Sequence, residues 1–145
     1  MAVSVTKTRT NYFAVKDKTA FAKLVNSLVT DGNDKARLIE NSQGEVGFVC
    51  SDSVYGLKLS NDSDDDNERD YDALESEMVK QIQALIESGH ACIVTDITYE
   101  NLRFLDGTAM IITQDKYEVL NLRNLALERA RDMLDISNYE PDMDC

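Results

Sequence analysis

The sequence predicts an α+β protein: an antiparallel sheet with helices packed on one face, in the order β-α-β-β-(β)-α-β-β-β-α. Three observations carry that expectation. Apolar residues recur at helical spacing in only three stretches, the other apolar runs are short and bounded by turn residues, and strands come in clusters rather than alternating singly with helices. A chain of 145 residues with one proline, six glycines, 43% hydrophobic and 29% charged residues has the make-up of one ordinary folded domain. That domain is expected over 1–136, with an acidic loop at 60–70 and an acidic, loosely ordered tail at 137–145.

Residues 9–16, RTNYFAVK, alternate as a first strand. Asp17 then caps a helix whose Phe21, Leu24, Val25 and Leu28 fall at i, i+3, i+4 and i+7, and which stops at Asp31-Gly32. KARLIEN (35–41) and EVGFVCS (45–51) read as two strands around a hairpin loop in which Gly44 supplies the positive φ. Val54 to Leu59 adds a short third strand.

A second helix runs from Asp70 to Ser88, marked by Tyr71, Leu74, Met78, Ile82 and Leu85 and closed by Gly89. From His90 to Leu122 the chain reads as a β-meander, ACIVTDIT, NLRFLDGTAMIITQ and KYEVLNL, with turns at 99–101 and 114–116. Asp106-Gly107 in the long middle segment is read as a bulge. Asn121 caps a last helix to Leu134, with Leu122, Leu125, Ala126 and Met133 inward.

Charge is the least ordinary feature. The chain carries −12 overall, and Asp62 to Glu77 hold nine acidic residues opposed only by Arg69, a local net of −8. Asp70, Asp72 and Glu75 favour the positive end of the second helix, by ~0.3–1 kcal/mol each where exposed. Asp62, Asp64, Asp65, Asp66 and Glu68 precede that helix and have no such role. A surface this acidic repels nucleic acid and anionic membranes and attracts basic protein surfaces. An array of carboxylates can also occupy the Arg- and Lys-lined groove that a nuclease builds for DNA, which presents one charge per ~1.7 Å. The ordinary alternative is an acidic loop that only keeps the chain soluble.

Other chemistry is weakly supported. Asp64, Asp66, Glu68, Asp70, Asp72 and Glu75 fill positions 1, 3, 5, 7, 9 and 12 of a calcium-loop register, but Arg69 stands where that loop needs glycine. No metal site and no cofactor is expected. His90, the one histidine, follows a helix end and is read as bonding the last helical carbonyls. Cys50 and Cys92 lie in apolar strands and Cys145 in the tail, three scattered free thiols of a reducing compartment. There is no glycine-rich phosphate loop, HExxH or GxSxG motif, so an enzyme ranks last. Lys7, Arg9, Lys16, Lys18 and Lys23 form a modest basic cluster, not a phosphate-tracking stripe. The N-terminus has no apolar signal core, and a cytoplasmic protein is expected.

Two stretches, TNYFAVKDKTAF (10–21) and ENLRFLDGTAMIITQDKYEVLNLRNLALERARDML (100–134), resemble small acidic accessory proteins of phages and mobile elements, a group that includes anti-CRISPR proteins. The resemblance implies an inhibitor of a host defence nuclease, such as Cas9, and carries over no functional residue. The leading expectation is therefore a non-enzymatic, DNA-mimicking inhibitor. Asp62, Asp64, Asp65, Asp66, Glu68, Asp70, Asp72 and Glu75 would meet the basic nucleic-acid channel of its partner. An immunity or adaptor protein binding by shape or sheet edge is the alternative, and a divalent-cation binding domain the third reading.

Overall fold

The computed structural model describes residues 5–58, 70–100 and 104–141. Eight strands and three helices follow in the order β1 (Val5–Thr10), α1 (Lys18–Asn26), β2 (Leu28–Thr30), β3 (Arg37–Glu40), β4 (Val46–Cys50), β5 (Val54–Leu57), α2 (Tyr71–Leu85), β6 (Cys92–Glu100), β7 (Phe104–Ile112), β8 (Tyr117–Asn121) and α3 (Leu122–Leu134). Six strands form one antiparallel sheet in the order β3-β4-β1-β6-β7-β8, and β2 pairs with β5 in a second, two-stranded sheet. The α+β architecture is as the sequence predicts.

Strand alternation assigns the faces. Residues Thr8, Thr10, Phe48, Cys50, Cys92, Val94 and Ile112 share one face of the large sheet and are buried. Against them lie Phe21, Leu24 and Val25 of α1 and Met78, Val79 and Ile82 of α2, which makes one contiguous core. Asp17 caps α1 by accepting from the Ala20 N–H at 3.0 Å, and Asp70 caps α2 by accepting from the Ala73 N–H at 3.2 Å. Between β3 and β4, Asn41 Oδ1 accepts from the N–H groups of Gln43 and Glu45, at 3.0 and 2.9 Å, and Gly44 takes φ 80°. These satisfied turn groups fix the hairpin register.

Several boundaries differ from the sequence expectation. The first strand is Val5–Thr10, not 9–16. At Asn11 the side chain replaces the ladder, with Oδ1 accepting from Ile93 N–H at 2.8 Å and Nδ2 donating to Ala91 O at 2.9 Å. Beyond it the chain keeps only single bridges, Phe13 to Val46 and Val15 to Ile86. Helix α1 ends at Asn26, where Ser27 turns back onto the Lys23 and Leu24 carbonyls. Leu28 therefore starts β2, and its apolar spacing serves the small sheet rather than another helical turn. Helix α2 ends at Leu85 rather than Ser88, because fully buried Ile86 is extended and bridges Val15.

Two differences bear on function. No bulge forms at Asp106-Gly107, since β6 and β7 pair without a shift from Glu100↔Phe104 to Cys92↔Ile112. Gly107 instead makes room for Leu122, whose Cβ lies 3.6 Å from where a Gly107 side chain would begin. The stripe Leu122, Leu125, Ala126 and Met133 does not point inward. Helix α3 buries no residue, and Leu122, Leu125 and Met133 are 64%, 43% and 78% exposed. Helices α1 and α2 cover one face, whereas α3 starts beside the other, next to Gly107, Ile97 and Leu120.

Candidate partner-binding surfaces

The first surface is the head of α2. Asp70 and Asp72 are exposed, and Asp70 is held in place as the N-cap. Glu75 is half-buried and turned toward β8, where the Tyr117 hydroxyl donates to it. Burial, with Glu75 and Asp72 adding to it, pushes the Tyr117 phenol up to about 12. Glu75 thus has a structural partner, while Asp70 and Asp72 present their charge to solvent. Tyr71 stacks at a tilt on Tyr55 of β5, ring centroids 4.6 Å apart, and this anchors the acidic helix head on the small sheet. Asp62, Asp64, Asp65, Asp66 and Glu68 lie outside the described residues.

The second surface is one that charge and motif reading missed. On the uncovered face of the large sheet, Ile93, Ile97 and Tyr99 of β6 and Leu105 of β7 are 37%, 48%, 37% and 59% exposed. Two shallow recesses meet at Thr95 and Ile97. One, of about 360 Å³, is flanked by Lys7 and Arg9, and the other, of about 240 Å³, runs under Leu122 and Leu125. A signal for this face was present in CIVTDITYE. Its outward set Ile93, Thr95, Ile97 and Tyr99 is at least as apolar as the inward set Cys92, Val94, Asp96 and Thr98, the pattern of a strand covered on both faces.

No protein-family model matches the chain, and no curated protein or solved structure matches it significantly.

The remaining candidate chemistry resolves into structural roles. His90 does not bond the last helical carbonyls; its Nδ1 accepts from the Ala14 N–H at 3.2 Å and lies 3.9 Å from a Glu45 carboxylate oxygen. It thereby ties the β1–α1 connection to the start of the meander. Cys50 and Cys92 are buried free thiols, and burial pushes Cys92 up to about 12, far from a reactive thiolate. Among the described residues, no three His, Cys, Asp or Glu side chains converge as metal ligands, and no helix is long and apolar enough to cross a membrane.

Asp96 is the one half-buried acid on the covered face of β6. Burial raises its pKa above the ordinary 3.8, Thr8 and Thr98 hydrogen bonds oppose that rise, and Asp106 adds to it. The folded chain thus holds this proton more tightly than the unfolded one, and the resulting stabilisation, complete below pH 3.8, is lost as pH rises through the folded value. Asp96→Asn should accordingly be more stable than wild type at pH 7, with the gap closing toward pH 3. Thermal melts across that range check it, and a variant less stable at pH 7 would contradict it.

Proposed function

We propose that the protein is a non-enzymatic inhibitor that binds the basic nucleic-acid channel of a bacterial defence nuclease, a CRISPR effector such as Cas9 being the leading target. The observation that carries this reading is the acidic run itself: eight carboxylates from Asp62 to Glu75 with Arg69 as the sole opposing charge, continuing onto the exposed, capped head of α2. Fixed acids on a helix head are pre-ordered, so binding through them costs less side-chain entropy than binding through a free tail. Lys7 and Arg9, which flank the uncovered sheet face, make that face a poor match for a basic channel and leave the acidic run as the matching surface.

The test is capture of bacterial nucleic-acid enzymes by the tagged protein at about 50 mM and about 500 mM salt, Debye lengths of roughly 14 Å and 4 Å. The captured enzyme's nuclease activity is then assayed with and without the protein. Binding and inhibition should be lost at high salt, and the combined Asp64→Asn, Asp65→Asn and Asp66→Asn variant should associate about tenfold more slowly. Inhibition that survives those substitutions unchanged would remove the charge reading. The exposed apolar face favours the second reading, an adaptor or immunity protein held by shape, for which deletion of 61–68 leaves binding intact.

A further inference from the structure

We infer that the protein pairs with a second copy of itself through the uncovered sheet face and α3, separately from any engagement by its acidic run. Ile93, Ile97, Tyr99, Leu105, Leu122 and Leu125 are between 37% and 64% exposed, and together they leave on the order of 600 Å² uncovered, the top of what an ordinary monomer exposes. Met133 and Leu134, at 78% and 51%, extend this to roughly the 800 Å² that each partner gives to a standard interface.

What covers the face must be apolar and must tolerate Lys7 and Arg9 beside it. Helix α3 meets both conditions. Its apolar stripe Leu122, Leu125, Ala126 and Met133 is unburied in its own chain, and exposed Glu128 and Asp132 lie along the same helix. A helix whose periodic stripe finds nothing to cover within the chain is made to cover something else. Both halves of the contact, a groove floored by Ile97, Gly107 and Leu120 and a helix to fill it, are on one molecule. A two-fold pairing therefore satisfies both grooves at once and closes.

Electrostatics selects this face as well. Two copies at −12 each repel, so self-association is least opposed where acids are sparse. On the outward side of the sheet, β1 contributes Lys7 and Arg9, and β6 and β7 contribute no acid. The head of α2 lies toward the other face, so pairing leaves Asp70 and Asp72 free in both copies.

The measurement is mass by light scattering across a dilution series down from about 200 µM, for wild type, Ile97→Asp and Leu125→Asp. Both substituted positions are exposed, so the variants fold, with circular dichroism and melting of the diluted protein as the control. Wild type should run at twice 16.3 kDa and each variant at the single mass. A wild type at the single mass throughout would overturn the pairing. A dimer that survives both substitutions would do so too, since it would locate the contact elsewhere, as at the free edge of β8. A ladder of higher masses would exclude the closed two-fold form.

Discussion

Replacing Gly56 with alanine should lower the stability of the fold by about 3 kcal/mol or more. Gly56 lies in β5 at φ 148°, and a Cβ there would collide with the backbone carbonyl of Leu74 in α2. Backbone cannot swing aside as a side chain can, so α2 must lift or β5 must detach from β2. Leu74 is fully buried and stands between Asp72 and Glu75, so the same lift moves the acidic head of the helix. Gly89→Ala is the control. It too has positive φ, 83°, but nothing lies within 4 Å of its Cβ position, and the backbone term alone costs about 1 kcal/mol. Urea titrations of the three proteins separate the two costs, and hydrogen exchange should show the Gly56→Ala loss concentrated in α2. A Gly56→Ala variant within 1 kcal/mol of Gly89→Ala would mean that α2 does not rest on β5 as closely as described.

Where local chemistry and tertiary packing agree, the sequence was legible. Asp17, Asp70 and Asn121 cap the three helices as expected, because an Asx side chain at a helix start satisfies a donor regardless of the rest of the fold. The hairpin around Gly44 and the meander from β6 to β8 follow from alternation and turn residues in the same way. Failures fall where a long-range partner overrides local pattern. Asn11 ends β1 by bonding across to Ile93 and Ala91, and Leu28 leaves its helical stripe to pair with Leu57. Neither partner lies nearby in sequence. Of the candidate surfaces, the acidic head of α2 was visible as charge, whereas the apolar sheet face was not. Periodicity states that a residue wants cover but not which molecule supplies it, and α3 shows the difference: its stripe was read correctly as apolar and wrongly as internal.

Phe13→Ala and Met133→Ala delete comparable apolar groups and should have opposite consequences. Phe13 is fully buried, packs edge-on to Phe21 at 5.4 Å, and exchanges both backbone hydrogen bonds with Val46 at 2.9 Å. Its loss removes the transfer energy of the ring and opens a cavity where α1 meets β4, at a cost of about 3–5 kcal/mol. For a chain of this size that is a fall of roughly 10 °C in Tm, at any protein concentration. Met133, 78% exposed, has no cavity to leave. In dilute protein its replacement should change stability by under about 0.5 kcal/mol. At concentrations where two copies associate, however, wild type gains stability by mass action and Met133→Ala gains less, so the difference in Tm should grow with concentration. Melting curves of both variants from dilute to concentrated protein test this directly. A Met133→Ala difference that stays flat would show α3 to be a solvated helix, and one as large as that of Phe13→Ala in dilute protein would show its stripe to be covered within the chain.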